Sequence, residues 1–376
     1  MFNVYSVYDL EPVSGDGCYI RDASGTRYLD LYGGHAVISV GHSHPKYVAR
    51  IREQAGQIGF YSNSVKNPLQ DRLAHLLGEV SGYRDYRLFL CNSGAEANEN
   101  ALKLASFHTE RTPVFSFQGA FHGRTSAAVS VTDNPALQAP LNRREDVRFL
   151  PLNDTAALEQ AFAETKPCAV IIEGIQGIGG VVGPQPEFFQ ALRQQCDRHG
   201  AVLILDEVQS GYGRTGQFFA HQYAGVQPDL ITVAKGMGNG FPIAGVLIHP
   251  RFQARPGLLG STFGGNHLAC AAGLAVLEII RDEELIDNAR SQGEYLHRAL
   301  EQVSGPIREV RGTGLMLGVE LEFPCADLRK QLLFEHHIFT GSSANKNTLR
   351  ILPPLSITRS QLDHFLESFQ TVLQQY

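Results

Sequence analysis

The stretch DLITVAKGMGNGFPIAG, Asp229–Gly245, decides how this chain is read. Leu230-Ile231-Thr232-Val233-Ala234 is a nearly unbroken apolar run, the mark of a strand covered on both faces. It stops at Lys235, and small residues with three glycines follow before Phe241-Pro242. A buried strand that ends on a lysine and then stays small leaves room for something flat to approach the backbone.

Working outward, the same texture repeats. AVLILDEV (201–208) and KPCAVIIEG (166–174) read as strands, as do YRLFLCN (86–92) and TPVFSFQ (112–118). Between them lie helical patterns: SGAEANENALKLASFHT, and PEFFQALRQQCDRHG with Gly200 as its C-cap. Strands alternating with helices predict an α/β fold, a mainly parallel sheet with helices on both faces. In such sheets ligands sit outside the carboxyl ends of the strands, so polar residues there carry most weight.

Beyond Asn266 the pattern shifts to long helices, then a glycine-bearing strand or hairpin, IREVRGTGLMLGVELE, and a final helix from about Ser360. The start, GCYIRDASGTRYLDLYGG, predicts a hairpin turning at Ser24-Gly25. The expected layout is a large domain over 41–265 and a small α+β domain built from 1–40 and 266–376.

The 376 residues suffice for this. A net charge of −6 argues against nucleic acid or an acidic membrane surface as partner. The six cysteines are scattered without a C-x-x-C pair, which is neither a disulfide framework nor a zinc site. The opening residues lack a basic-then-apolar signal pattern, and no apolar run reaches membrane-spanning length. The expected location is the cytoplasm, with no metal.

Four features at strand ends carry chemistry. Ser93-Gly94-Ala95 stands where a strand turns into a helix, a place suited to phosphate; Ser93 could equally be an N-cap with Glu96 closing a capping box. Asp206 and Glu207 follow an apolar run, where a carboxylate needs a cationic partner. A salt bridge, a metal or a protonated ring nitrogen would serve, and the ring nitrogen is favoured because adjacent strand residues face opposite ways. Lys235 either snorkels to solvent or, once desolvated, becomes an amine nucleophile. In GAFHGRTSAAV, Phe121 can stack on a planar ring, His122 is a ligand or a buried hydrogen-bonding histidine, and Arg124 can clamp a carboxylate. A phosphate cradle, an aromatic plate, an aspartate and an amine together suit pyridoxal 5'-phosphate.

At these residues the chain resembles the class III (ornithine-type) aminotransferases of the fold-type I pyridoxal-phosphate enzymes. The blocks YLDLYGGHAVISVGHSHP, FLCNSGAEANENALKLA, FHGRTSAAVSVT, LILDEVQSGYGRTG, DLITVAKGMGNGFPIAG and LRILPPLSI carry the resemblance in the family's order. Within that class it is most similar to the acetylornithine group. The resemblance implies that Gly94 and Ala95 hold the cofactor phosphate and that Phe121 stacks on the ring, with Ser93, His122 and Val208 also binding the cofactor. Asp206 takes the ring nitrogen, Gln209 the phenolic oxygen side, and Lys235 forms the Schiff base. It further implies Glu173 beside the ring and Thr262 reaching the phosphate of the neighbouring subunit in an obligatory homodimer. Arg124 and Ser261 would contact an acylornithine, and Arg350 the α-carboxylate of glutamate or 2-oxoglutarate. The implied activity moves a δ-amino group between an N-acylornithine and 2-oxoglutarate, in arginine biosynthesis. Free ornithine, 4-aminobutyrate and acetyl-lysine remain open as substrates, and a glutamate-semialdehyde aminomutase remains open as an alternative activity.

One block departs from the family. Where the pattern is E-P-x-Q-G-E, this chain has EGIQGI, with Gly174 for the proline and Ile178 for the second glutamate. In ornithine aminotransferases that glutamate is thought to mask the arginine corresponding to Arg350. Either the exposed arginine attracts a substrate carboxylate, as on N-succinylornithine, or Ile178 is a packing change compensated nearby.

Overall fold

The computed structural model describes residues 1–376. The chain begins with antiparallel β1 (Pro12–Asp16), β2 (Tyr19–Asp22) and β3 (Arg27–Asp30). It then builds a seven-stranded sheet from β4 (Arg87–Cys91), β5 (Val114–Phe117), β6 (Val147–Leu150), β7 (Ala169–Glu173), β8 (Val202–Asp206), β9 (Leu230–Val233) and β10 (Ala244–Ile248). The order is β4-β10-β9-β8-β7-β5-β6; β10 runs antiparallel to both neighbours, and every other pair is parallel.

The unbroken apolar runs are explained by burial on two sides. Every residue of β7, β8 and β9 is buried. Alternate residues serve opposite faces: Ala169, Ile171, Val202 and Ile204 pack with Ala97, Ala101 and Leu104 of the Gly94–Thr109 helix. Val170, Ile172, Leu203 and Leu205 pack with Phe162 and with Phe188, Leu192 and Cys196 of the Pro186–His199 helix. That helix ends on Gly200, at φ 62°.

After the His267–Asp282 and Leu285–Glu301 helices come β11 (Ile307–Thr313), β12 (Met316–Leu321), β13 (Ile338–Phe339), β14 (Gly341–Ser342) and β15 (Thr348–Ile351). The glycine-bearing segment is thus a hairpin, and its sheet has the antiparallel order β11-β12-β15-β14. β13 pairs in parallel with β3, which ties the first strands to the last third of the chain. The largest apolar cluster runs through Leu31, Leu73, Ile231, Leu277 and Phe365, so one core joins both ends of the chain to the central sheet. No helix is long and apolar enough to cross a membrane.

Register then positions the site. Glu173 stands opposite Asp206, and Asp206 opposite Thr232. Two carboxylates therefore lie side by side at the carboxyl edge, one residue pair away from the strand that leads into Lys235.

Candidate active site

A cavity of about 350 Å³ opens at this edge. Ser93, Gly94, Ala95, Phe121, His122, Glu173, Asp206, Val208, Gln209 and Lys235 all line it, so one site collects most of the residues singled out from the sequence. Ile178 lines it as well.

The helix start serves two purposes. Ser93 Oγ accepts from the Glu96 amide at 3.2 Å, and Glu96 Oε2 accepts from the Ser93 amide at 3.1 Å, which completes a capping box. With those groups paired, the first-turn amides of Gly94 and Ala95 remain at the positive end of the helix dipole, on the cavity wall. Gly94 has to be glycine: a Cβ there would fall 2.7 Å from Val208 Cγ1.

Asp206 is buried and held by three donors. Its Oδ2 accepts from Asn98 Nδ2 at 2.8 Å and pairs with His122 Nδ1 at 2.7 Å; its Oδ1 accepts from the Val208 amide at 3.0 Å. His122 Nε2 is buried without a partner. Glu207 turns to the opposite side, as strand alternation requires, where it binds Ser210 Oγ and the His221 ring.

Lys235 follows β9 by two residues and opens a short 3-10 turn, with φ 44°. A lysine in this left-handed region costs about 1–2 kcal/mol, so the surrounding contacts must impose it. Burial pushes its ammonium down to about 8; Asp206 and Glu173 pull upward, and Arg350 pushes further down. Glu173 accepts from the amides of Phe121 (2.9 Å) and Gly177 (3.1 Å). Burial pushes its carboxyl up to about 7.

Four expected residues lie off the cavity wall. Arg350 sits behind Gln209: it is 1% exposed, and its Nη1 donates to Gln209 Oε1 at 3.3 Å while its Nε donates to the Ser342 carbonyl. Burial lowers its pKa, and the ion pairs of the protein do not include it. Ser261 reaches the site through Asn92 Nδ2, which donates to its hydroxyl at 3.2 Å. Arg124 and Thr262 are exposed on the single chain.

The sequence reading missed Asn98, which is 1% exposed and links Asp206, the His122 carbonyl and Thr232 Oγ1. Its one available signal was a spacing of four from Gly94 on the same helix face. Val37 and the Phe241-Pro242 wall were also missed.

A mainly parallel α/β sheet whose strand edge gathers a helix N-terminus, a buried carboxylate and a depressed lysine defines the class. Residues 4–373 match the family model for aminotransferase class-III, and the chain belongs to that family of transferring enzymes. Among relatives, it is 40% identical to the acetylornithine aminotransferase of Mycolicibacterium smegmatis, over 99% of this chain and 96% of that one. A solved acetylornithine aminotransferase from Elizabethkingia anophelis superposes with a TM-score of 0.87 at 27% identity, covering 100% and 96% of the two chains. The ornithine aminotransferase of Toxoplasma gondii, described with partial occupancy of PLP at its active site, gives a TM-score of 0.93 at 28% identity and covers 100% and 91%. The architecture is that of these fold-type I aminotransferases.

Proposed function

We propose that this enzyme transfers the δ-amino group between an N-acylornithine and 2-oxoglutarate, using pyridoxal phosphate held at the β7–β9 edge. The depressed, unpartnered Lys235 amine beside a donor-saturated Asp206 and a free helix N-terminus is the observation that carries this reading. These residues fit the cofactor: the Gly94 and Ala95 amides would hold the phosphate, Phe121 would lie against the ring and Lys235 would hold the aldehyde carbon. When bound, the cofactor supplies an aldehyde that condenses with amines and a ring that takes up the electron pair left when a C–H proton departs.

The chain's own residues do the rest. Asn98, His122 and the Val208 amide hold the Asp206 carboxyl in place, where it would face the cofactor's ring nitrogen. His122 orients Asp206 through Nδ1. Lys235 Nζ, about half neutral at pH 8, would be the base that takes a proton from the substrate carbon and returns it one bond away. Glu173, pinned by two amides, fixes Phe121 and the Gly177 loop. One site serves both half-reactions, so the kinetics are ping-pong.

The acyl group is read from Arg350. With Ile178 on the cavity wall and no carboxylate on its guanidinium, Arg350 favours a substrate that brings one, such as N-succinylornithine. Comparison of kcat/KM for N-succinylornithine and N-acetylornithine tests this. A strong acetyl preference that persists in Ile178→Glu would overturn it.

We assign the cofactor-holding unit to residues 41–265 and the smaller unit to 1–40 with 266–376. We also assign a homodimer, in which Thr262 completes the neighbour's phosphate site. Exposed Phe60 and Phe263, with rings 5.3 Å apart, flank that loop and support a partner surface there. Light scattering across a concentration range, with cofactor affinity of Thr262→Ala, tests the pairing.

A further inference from the structure

Behind the cavity, the exit of β8 is packed in an ordered way. Glu207, Val208, Gln209 and Ser210 follow Asp206, and each of their side chains is seated on a glycine. A Cβ on Gly174 would fall 2.7 Å from both Glu207 Oε1 and Ser210 Oγ. One on Gly94 would fall 2.7 Å from Val208 Cγ1, and one on Gly177 would overlap Gln209 Oε1. Val208 and Gln209 line the cavity, whereas Glu207 and Ser210 do not. Gly174, which stands where the family pattern has proline, lies outside the left-handed region, so closeness alone requires the glycine.

Glu207 is 1% exposed, and its carboxyl gathers the surrounding chain. Ser210 Oγ donates to Oε2 at 2.6 Å, and the Ala220 amide donates to the same oxygen at 3.1 Å. The His221 amide donates to Oε1 at 3.0 Å, and His221 Nδ1 lies 2.7 Å from it. His221 is itself fixed: its ring stacks on Phe219, and its Nε2 lies 2.6 Å from the Tyr83 hydroxyl. On the cavity side, the Val208 amide donates to Asp206 Oδ1 at 3.0 Å, and the Gly174 amide donates to the Asp206 carbonyl at 3.1 Å. The path of the loop therefore decides where one of the donors of Asp206 stands.

We propose that Glu207 is a positioning residue for the cofactor ring: seated on Gly174, it locks the 207–210 loop from behind and so holds Val208 and Asp206 where they face the ring. Each oxygen of Glu207 meets a backbone N–H, which cannot turn away. A side-chain amide at 207 would set its NH2 against one of those groups. Val208 has no freedom to compensate, because Gly94 closes on its other side. The proposal rests on the pyridoxal-phosphate reading above.

The test titrates stripped full-length protein with pyridoxal phosphate and records the visible circular dichroism of the loaded protein, which reads ring orientation. Both are measured below the melting temperature of every variant. Glu207→Gln should weaken binding about tenfold, the equivalent of one hydrogen bond, and reduce the visible signal per bound cofactor. Gly174→Ala keeps every polar group but drives a Cβ against the carboxyl, and it should do the same. Because both act through one contact, the double variant should lose about tenfold, not the roughly hundredfold of independent effects. Ser210→Ala removes one donor and strands no backbone group; it should weaken binding about threefold, and it carries the test if the other variants fold poorly. Lower melting temperatures with wild-type affinity and wild-type dichroism would show a carboxyl that only stabilises the fold, and would overturn the proposal. A roughly hundredfold loss in the double variant would overturn it too. Failure of the cofactor reading would appear separately, as wild-type protein that takes up no pyridoxal phosphate.

Discussion

The depressed Lys235 ammonium has a direct kinetic consequence for the uptake of pyridoxal phosphate by the cofactor-free protein. Only the neutral amine attacks an aldehyde. With a pKa of about 8, roughly a quarter of Lys235 is neutral at pH 7.5, against roughly 0.1% for a lysine at the ordinary 10.5. The advantage is about two hundredfold. Because the proton must leave before attack, the rate rises with pH and levels off above about 8. The assay mixes stripped protein with pyridoxal phosphate from pH 6 to 10.5 and follows the growth of visible absorbance, with a blocked free lysine as the reference amine.

The cause is tested in the same assay. Burial is the largest contribution and Arg350 a lesser one, so Arg350→Gln should leave most of the depression in place; removing a cation relaxes the ammonium toward its ordinary value, so any movement must be upward. A small upward movement of the midpoint is therefore expected. A wild-type midpoint near 10 would refute the desolvated-amine reasoning, and a full return to 10 in Arg350→Gln would refute burial as its main cause.

Two further outcomes follow from neighbouring residues. Glu173 titrates at about 7 instead of 4.5, so the folded protein binds an extra proton between those values and loses stability as pH rises through them, by about 3 kcal/mol in total; the stability of Glu173→Gln relative to wild type should climb over that window in pH-dependent urea melts of the cofactor-free protein, and a flat difference would contradict it. In Gly177→Ala the added Cβ would meet Gln209 Oε1 at 1.6 Å, which displaces that flexible amide and breaks its bonds to Arg350 and His35; stability should fall by about 1–2 kcal/mol and the KM for 2-oxoglutarate should rise severalfold, and an unchanged KM would show that Gln209 does not position Arg350.

The sheet was legible because its central strands are buried twice over. AVIIE, VLILD and LITV leave no polar face, and each run closes on or just before a functional group, Glu173, Asp206 or Lys235. The chemistry was readable for the same reason: an ionisable residue directly after such a run has no solvent to justify it. β10 was not legible as the antiparallel member, since an apolar run such as AGVLI carries no direction. Asn98 was hidden because its partners, Asp206 and Thr232, lie more than a hundred residues away and its own helix offers no sign of them.

The same distance problem concealed the backbone strain, and its solution explains how the site holds its shape. Left-handed residues cluster on two segments: 33–36, and the loop with Lys235 at φ 44° and Asn239 at φ 47°. Neither segment carries enough glycine to adopt that conformation unaided. Asn239 ties its own loop to the chain just past the first segment: its Oδ1 accepts from the Ser39 and Val40 amides at 2.8 and 3.1 Å, and its Nδ2 donates to the Gly41 carbonyl at 2.9 Å. Ser39 Oγ returns a bond to the Gly236 carbonyl at 2.7 Å, beside Lys235 itself. These bonds are buried, so breaking any of them strands a polar group at about 1–3 kcal/mol, comparable with the strain they hold. The direction in which Lys235 leaves its strand is therefore held by residues 39–41, some two hundred residues earlier. The reactive amine is thus aimed by a hydrogen-bonded unit outside its own strand, so Asn239→Ala should slow cofactor uptake in the mixing assay, and an unchanged rate would show that these bonds do not aim it.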